Sequence, residues 1–127
     1  RCASAWSAWE ASTLSLLPDA GRVRDFSADR FALAFARIEC HYFLNKGFFR
    51  EDGQLLKDAH RLKAIPAEII QGRYDVVTPM RTAWDLHKAW PEARFTIIDD
   101  AGHTATEPGT TDAIVRASDR FCNAQNA

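Results

Sequence analysis

Two short apolar runs, residues 67–71 and 95–98, stand on either side of an amphipathic stretch, residues 80–90, and a further amphipathic stretch follows from Thr110 or Thr111. This order leaves few folds open. The first run follows Pro66 and contains Ile69 and Ile70; the second is Phe95-Thr96-Ile97-Ile98. Runs of that length with β-branched and aromatic residues read as strands. The stretch between them opens at Thr78-Pro79, a cap followed by a first-turn proline, carries Met80, Ala83, Trp84, His87 and Trp90 on one side, and is stopped by Pro91. The last helix is expected to bury Ile114, Ala117 and Phe121. Strand–helix–strand–helix implies a parallel pair joined by a right-handed crossover. Parallel sheets need neighbours on each side and cover on both faces. Two strands alone are therefore expected to be part of a larger sheet, with further strands outside these residues.

Sites in such sheets form at the carboxyl ends of the strands. Gly72-Arg73-Tyr74-Asp75 ends the first run and Asp99-Asp100-Ala101-Gly102-His103 ends the second. Asp75 and His103 are thus expected at one sheet edge. An acid can orient a histidine and lock its tautomer so that it deprotonates a nucleophile. The chain order acid-then-histidine is that of α/β-hydrolases. Singly, Asp75 reads equally as a turn aspartate capping the next helix, and His103 as a loop histidine. Six serines are present, Ser4, Ser7, Ser12, Ser15, Ser27 and Ser118. None lies between glycines in a strand-to-helix elbow, so the nucleophile is expected from a missing N-terminal portion.

The first 50 residues read as all-helical. Trp6, Trp9, Thr13, Leu14 and Leu17 recur at helical spacing over residues 3–17, closed by Pro18. Ser27 reads as the N-cap of a second helix whose apolar stripe is Phe31, Ala34, Phe35, Ile38 and Tyr42, with Gly47 after its end. Residues 51–63 are polar and read as a linker or short helix. Residues 64–127 form the βαβα core segment. The chain begins Arg1-Cys2-Ala3 and runs directly into a helical pattern, as if in mid-fold. Glu10 and Glu39 interrupt apolar faces, one turn from Trp6 and Phe35 respectively. A buried carboxylate without a partner is costly, so each either meets a cation, a ligand's or that of a nearby arginine such as Arg37, or emerges at the edge of the stripe.

Net charge is −1, which gives no electrostatic case for nucleic acid or an anionic membrane surface. No apolar run approaches the roughly 20 residues that span a bilayer. Cys2, Cys40 and Cys122 are odd in number and widely spaced. They read as reduced thiols of a cytoplasmic protein rather than a disulfide or metal framework. His41, His60 and His87 lack metal-ligand spacing, and no phosphate-binding glycine loop occurs, so no cofactor is expected.

The strings I-P-A-E-I-I-Q-G-R-Y-D-V-V-T-P, A-W-D-L-H-K-A-W-P-E-A and A-G-H-T-A-T-E-P, with A-W-S-A-W-E and F-A-L-A-F-A-R-I-E-C-H-Y-F-L-N-K-G-F-F before them, resemble the cap and C-terminal part of proline iminopeptidases, serine peptidases of the α/β-hydrolase fold. The likeness covers nearly the whole chain. It implies release of an N-terminal proline from peptides through an acyl-enzyme, with Asp75 as triad acid and His103 as triad base. It further implies that Glu10 and Glu39 bind the charged proline nitrogen. Two positions depart from the family. Thr78 stands where several relatives have cysteine, and Glu68 lies within a strand where an apolar residue is usual, which suggests that this strand end is exposed. The other readings are a non-catalytic remnant or interaction module, and a different α/β-hydrolase, an esterase or epoxide hydrolase, which would have no reason to keep Glu10 and Glu39.

Overall fold

The structure, a computed structural model, describes residues 1–124. Its centre is a parallel pair, β1 (Glu68–Gly72) and β2 (Arg94–Ile98), in register from Glu68 opposite Arg94 to Gly72 opposite Ile98. Helix α5 (Met80–Ala89) makes the crossover, and α6 (Pro108–Ala124) packs on both strands. Before them come α1 (Cys2–Thr13), α2 (Ala20–Ser27) and α3 (Asp29–Leu44). Residues 51–63 contain the short α4 (Gln54–Asp58) and a 3-10 turn, Ala59–Leu62. The expected α/β character and the parallel strand pair are both present.

Small residues bring the elements together. Among the described residues every buried apolar one is an alanine, including Ala11, Ala32 and Ala36 among the first helices and Ala83, Ala113 and Ala117 on α5 and α6. Where α1 meets α3, Ser7 is fully buried and its hydroxyl faces the Ala32 carbonyl at 3.5 Å. The expected stripe on α3 is therefore displaced by one position. Ala32 and Ala36 are buried, while Phe31, Ala34, Ile38 and Tyr42 are exposed. On α6 the buried line is Thr110, Ala113 and Ala117; Ile114 and Phe121, expected inside, stay 39% exposed. That helix begins at Pro108, two residues before Thr110, because proline fits a first helical turn that needs no amide donor.

Four further expectations are corrected. Ser27 is not an N-cap: it ends α2, and its hydroxyl donates to the Val23 carbonyl. The cap that the sequence does carry is Asp19, which accepts from the Arg22 amide at 2.9 Å and starts α2. Thr78 caps nothing with its side chain, because its hydroxyl is directed at Asp75. Helix α1 ends at Thr13, four residues short of Leu17, since the backbone beyond it is bonded elsewhere. The Leu14 carbonyl accepts from the His103 and Thr104 amides, both at 2.8 Å, and the Leu16 amide donates to Glu107 at 2.8 Å. Glu68 does not mark an exposed strand end either. Its side chain is 5% exposed, accepts from the Thr96 hydroxyl at 2.8 Å and pairs with Arg120.

Candidate active site

The carboxyl ends of β1 and β2 lie in contact because Gly72 carries no side chain. A Cβ on Gly72 would fall 1.9 Å from the Gly102 carbonyl oxygen and 2.8 Å from that of Ala101. The Arg73 and Tyr74 amides then donate to the Ile98 and Ala101 carbonyls at 2.9 and 3.0 Å. This backbone weld brings Asp75, three residues after β1, beside His103, five after β2. His103 Nδ1 is 2.9 Å from Asp75 Oδ2.

The two oxygens of Asp75 have different partners. Oδ1 accepts from the Val77 and Thr78 amides at 2.9 and 2.8 Å, closing a turn of the type short acids favour. Oδ2 receives the Thr78 hydroxyl at 2.9 Å and the Gln71 amide at 3.3 Å besides the imidazole. Burial pushes this carboxyl up, but the Thr78 amide, His103 and the Thr78 hydroxyl outweigh it and hold it below the usual carboxylate range. Asp75 therefore stays ionised beside His103. Engagement of Nδ1 leaves Nε2, across the ring, without a partner among the described residues, which is the arrangement a general base needs.

Above this edge lies a cavity of about 450 Å³ lined by Trp6, Trp9, Glu10, Glu39, Phe43 and Val77, among others. Glu10 is 8% exposed. Burial, and then the charge of Glu39, raise its pKa, while His103 works in the opposite direction. Glu39 accepts from Trp6 Nε1 at 2.7 Å. Neither carboxylate has a cationic side-chain partner among the described residues, Arg37 included. The pocket thus combines two acids with aromatic walls, close enough to His103 for its charge to be felt.

The serine hydroxyls are engaged elsewhere. Five contact backbone carbonyls and Ser15 accepts from Arg22; none is bonded to His103 among the described residues. No cluster of three or more His, Cys, Asp or Glu side chains suited to a metal occurs among the described residues, and none of the described helices is long and apolar enough to cross a membrane. Sequence reasoning missed Gln71, Thr78 and Glu107 as neighbours of the pair. Thr78 was legible in principle, since an acid followed three residues later by threonine is a turn signal. Glu107 had no local signal, because its partners are Leu16 and Gly102.

A parallel sheet edge bearing an acid–histidine pair under helices defines an α/β-hydrolase segment. The chain belongs to the TAP-like protein family, whose model matches residues 35–125. It is 56% identical over 119 residues to the proline iminopeptidase of Xanthomonas citri, covering 94% of this chain and 38% of that protein. It is 53% identical to a probable proline iminopeptidase of Leptolyngbya boryana and 52% identical to the proline iminopeptidase of Arabidopsis thaliana, again over 94% of this chain. These matches span 37% and 31% of those two relatives. The resemblance read from the motifs is thus borne out, over a chain that spans about a third of its relatives' length.

Proposed function

We propose that this chain supplies the acid, the base and the amine-binding carboxylates of a serine-type peptidase that releases proline from peptide N-termini. The observation that carries this reading is the Glu10–Glu39 pocket, without a cationic side-chain partner among the described residues, beside the Asp75–His103 pair. The two acids would hold the secondary ammonium of an N-terminal proline, and Trp6, Trp9 and Phe43 would pack its ring. A serine from residues outside this chain would attack the proline carbonyl while His103 Nε2 takes its proton. The same proton then passes to the leaving amine, and water hydrolyses the acyl-enzyme. Asp75 would hold the Nδ1–H tautomer throughout. Residues 1–50 act as cap and 64–127 as the core segment of that enzyme. No cofactor enters the scheme, neither nucleic acid nor membrane is a partner, and the scattered cysteines suit a cytoplasmic setting.

The test uses a protein of the relatives' full length that carries these 127 residues, offered a prolyl arylamide and a neutral ester. Glu10→Gln and Glu39→Gln are each expected to lower kcat/KM for the arylamide roughly 10- to 100-fold, the worth of one charged hydrogen bond, and to spare the ester. Equal losses on both substrates remove the amine-binding role. Ester hydrolysis without arylamide hydrolysis in the parent protein points to an esterase instead, and inactivity on both substrates points to a non-catalytic module.

A further inference from the structure

The carboxylate of Glu107 joins two segments that are far apart in sequence. Its Oε2 accepts from the Gly102 amide at 2.7 Å, immediately before His103, and its Oε1 accepts from the Leu16 amide at 2.8 Å, in the turn after α1. The Leu14 carbonyl closes the other side by accepting from the His103 and Thr104 amides. Arg22 of α2 reinforces the contact, since its guanidinium donates to the Ser15 hydroxyl and, at 3.2 Å, to the Thr106 hydroxyl. A Cβ on Gly102 would come within 2.9 Å of the Leu16 nitrogen, so the two backbones touch. Backbone groups of the turn and the histidine loop thus depend on one another, with one side chain serving both.

We infer that Glu107 is a positioning residue that clamps the His103 loop to the turn after α1, so that the base and the Glu10-bearing helix hold one register. This rests on the proposed role of His103 as base, but the clamp itself can be read without it. A carboxylate accepting two backbone amides does what neither an amide nor a methyl can do there. Glutamine keeps one acceptor oxygen and places an NH₂ against the other N–H; alanine leaves both donors unpaired.

The experiment measures amide hydrogen exchange and turnover in the full-length protein carrying this chain, with Glu107→Ala and Glu107→Gln. Exchange at Leu16, Gly102, His103 and Thr104 is expected to quicken at least about tenfold in the alanine variant, with Ile70 and Ile97 of the strand pair unchanged. kcat on a neutral ester is expected to fall about tenfold with KM held, because a shifted base slows chemistry without touching ester binding. KM for a prolyl arylamide is expected to rise as well, since α1 is loosened. The glutamine variant is expected to show a smaller effect at either Gly102 or Leu16, and it decides the matter if the alanine variant fails to fold. Unchanged exchange at both Gly102 and Leu16, or lowered thermal stability with kcat and KM intact, overturns the clamp. A parent enzyme that cleaves esters but no prolyl substrate overturns the proline reading alone, and the exchange and ester results still decide the role of Glu107.

Discussion

Asp75 shows how much one side chain can be asked to do. Its Oδ1 holds the Val77 and Thr78 amides, as a turn aspartate does, while its Oδ2 faces His103. Its depressed pKa links it to stability. A carboxyl held lower in the folded state stabilises the fold above its unfolded value, about 3.9, and that contribution is lost as pH falls through the folded value. Denaturant unfolding of Asp75→Asn is therefore expected to vary less with pH on the acid side than that of the parent. If the two profiles have the same slope below about pH 4, the assigned partners do not act on Asp75. In the full-length protein, the same Asp75→Asn substitution is expected to lower activity by about 10⁴-fold if Asp75 is the triad acid, because the wrong imidazole tautomer faces the nucleophile.

At the scale of elements, legibility followed the range of the interactions. The strands were readable because β-branched runs next to proline and glycine are local signals, and their ends located Asp75 and His103. The end of α1 was not, because Leu14 and Leu16 find their partners far along the chain, at His103, Thr104 and Glu107. Helix α2 carried a local signal in Asp19, overshadowed by the serine at position 27. The large apolar residues of α3 do not show which of its faces is buried, because the close helix contact is made by Ser7 and alanines. Glu68 looked out of place in its strand only because Arg120 lies on another element. The weld between strand ends gives the clearest prediction here. Gly72→Ala would put a methyl 1.9 Å from a carbonyl oxygen. The expected cost is at least on the order of 3 kcal/mol, read by denaturant unfolding, with loss of the Asp75–His103 contact in the imidazole NMR signals. A fully stable alanine variant would mean that the strand ends are not in contact.

Across the described residues, many large apolar side chains are exposed, while every buried apolar residue is an alanine. Phe43, Leu44, Phe48, Phe49 and Leu55 are each at least half exposed, and Phe49 and Leu55 border an apolar groove of about 540 Å³ that reaches Ile69 and Leu86. Exposed patches of this kind mark contact surfaces, and among the described residues no third strand pairs along either outer edge of the sheet. The 127-residue chain prepared alone is therefore expected to bind a hydrophobic dye and to self-associate with rising concentration. A dye-silent monomer by sedimentation would show that these side chains rearrange to cover themselves.

The paired glycines at the strand ends also bear on how such a site can change over time. The strand ends that carry Asp75 and His103 meet main chain against main chain. Neighbouring alanines and aromatics can then be exchanged, and the pocket reshaped, while the Asp75–His103 pair stays in place. Two hydrogen atoms, those a methyl would replace on Gly72 and Gly102, leave room for the Gly102 carbonyl and the Leu16 nitrogen respectively.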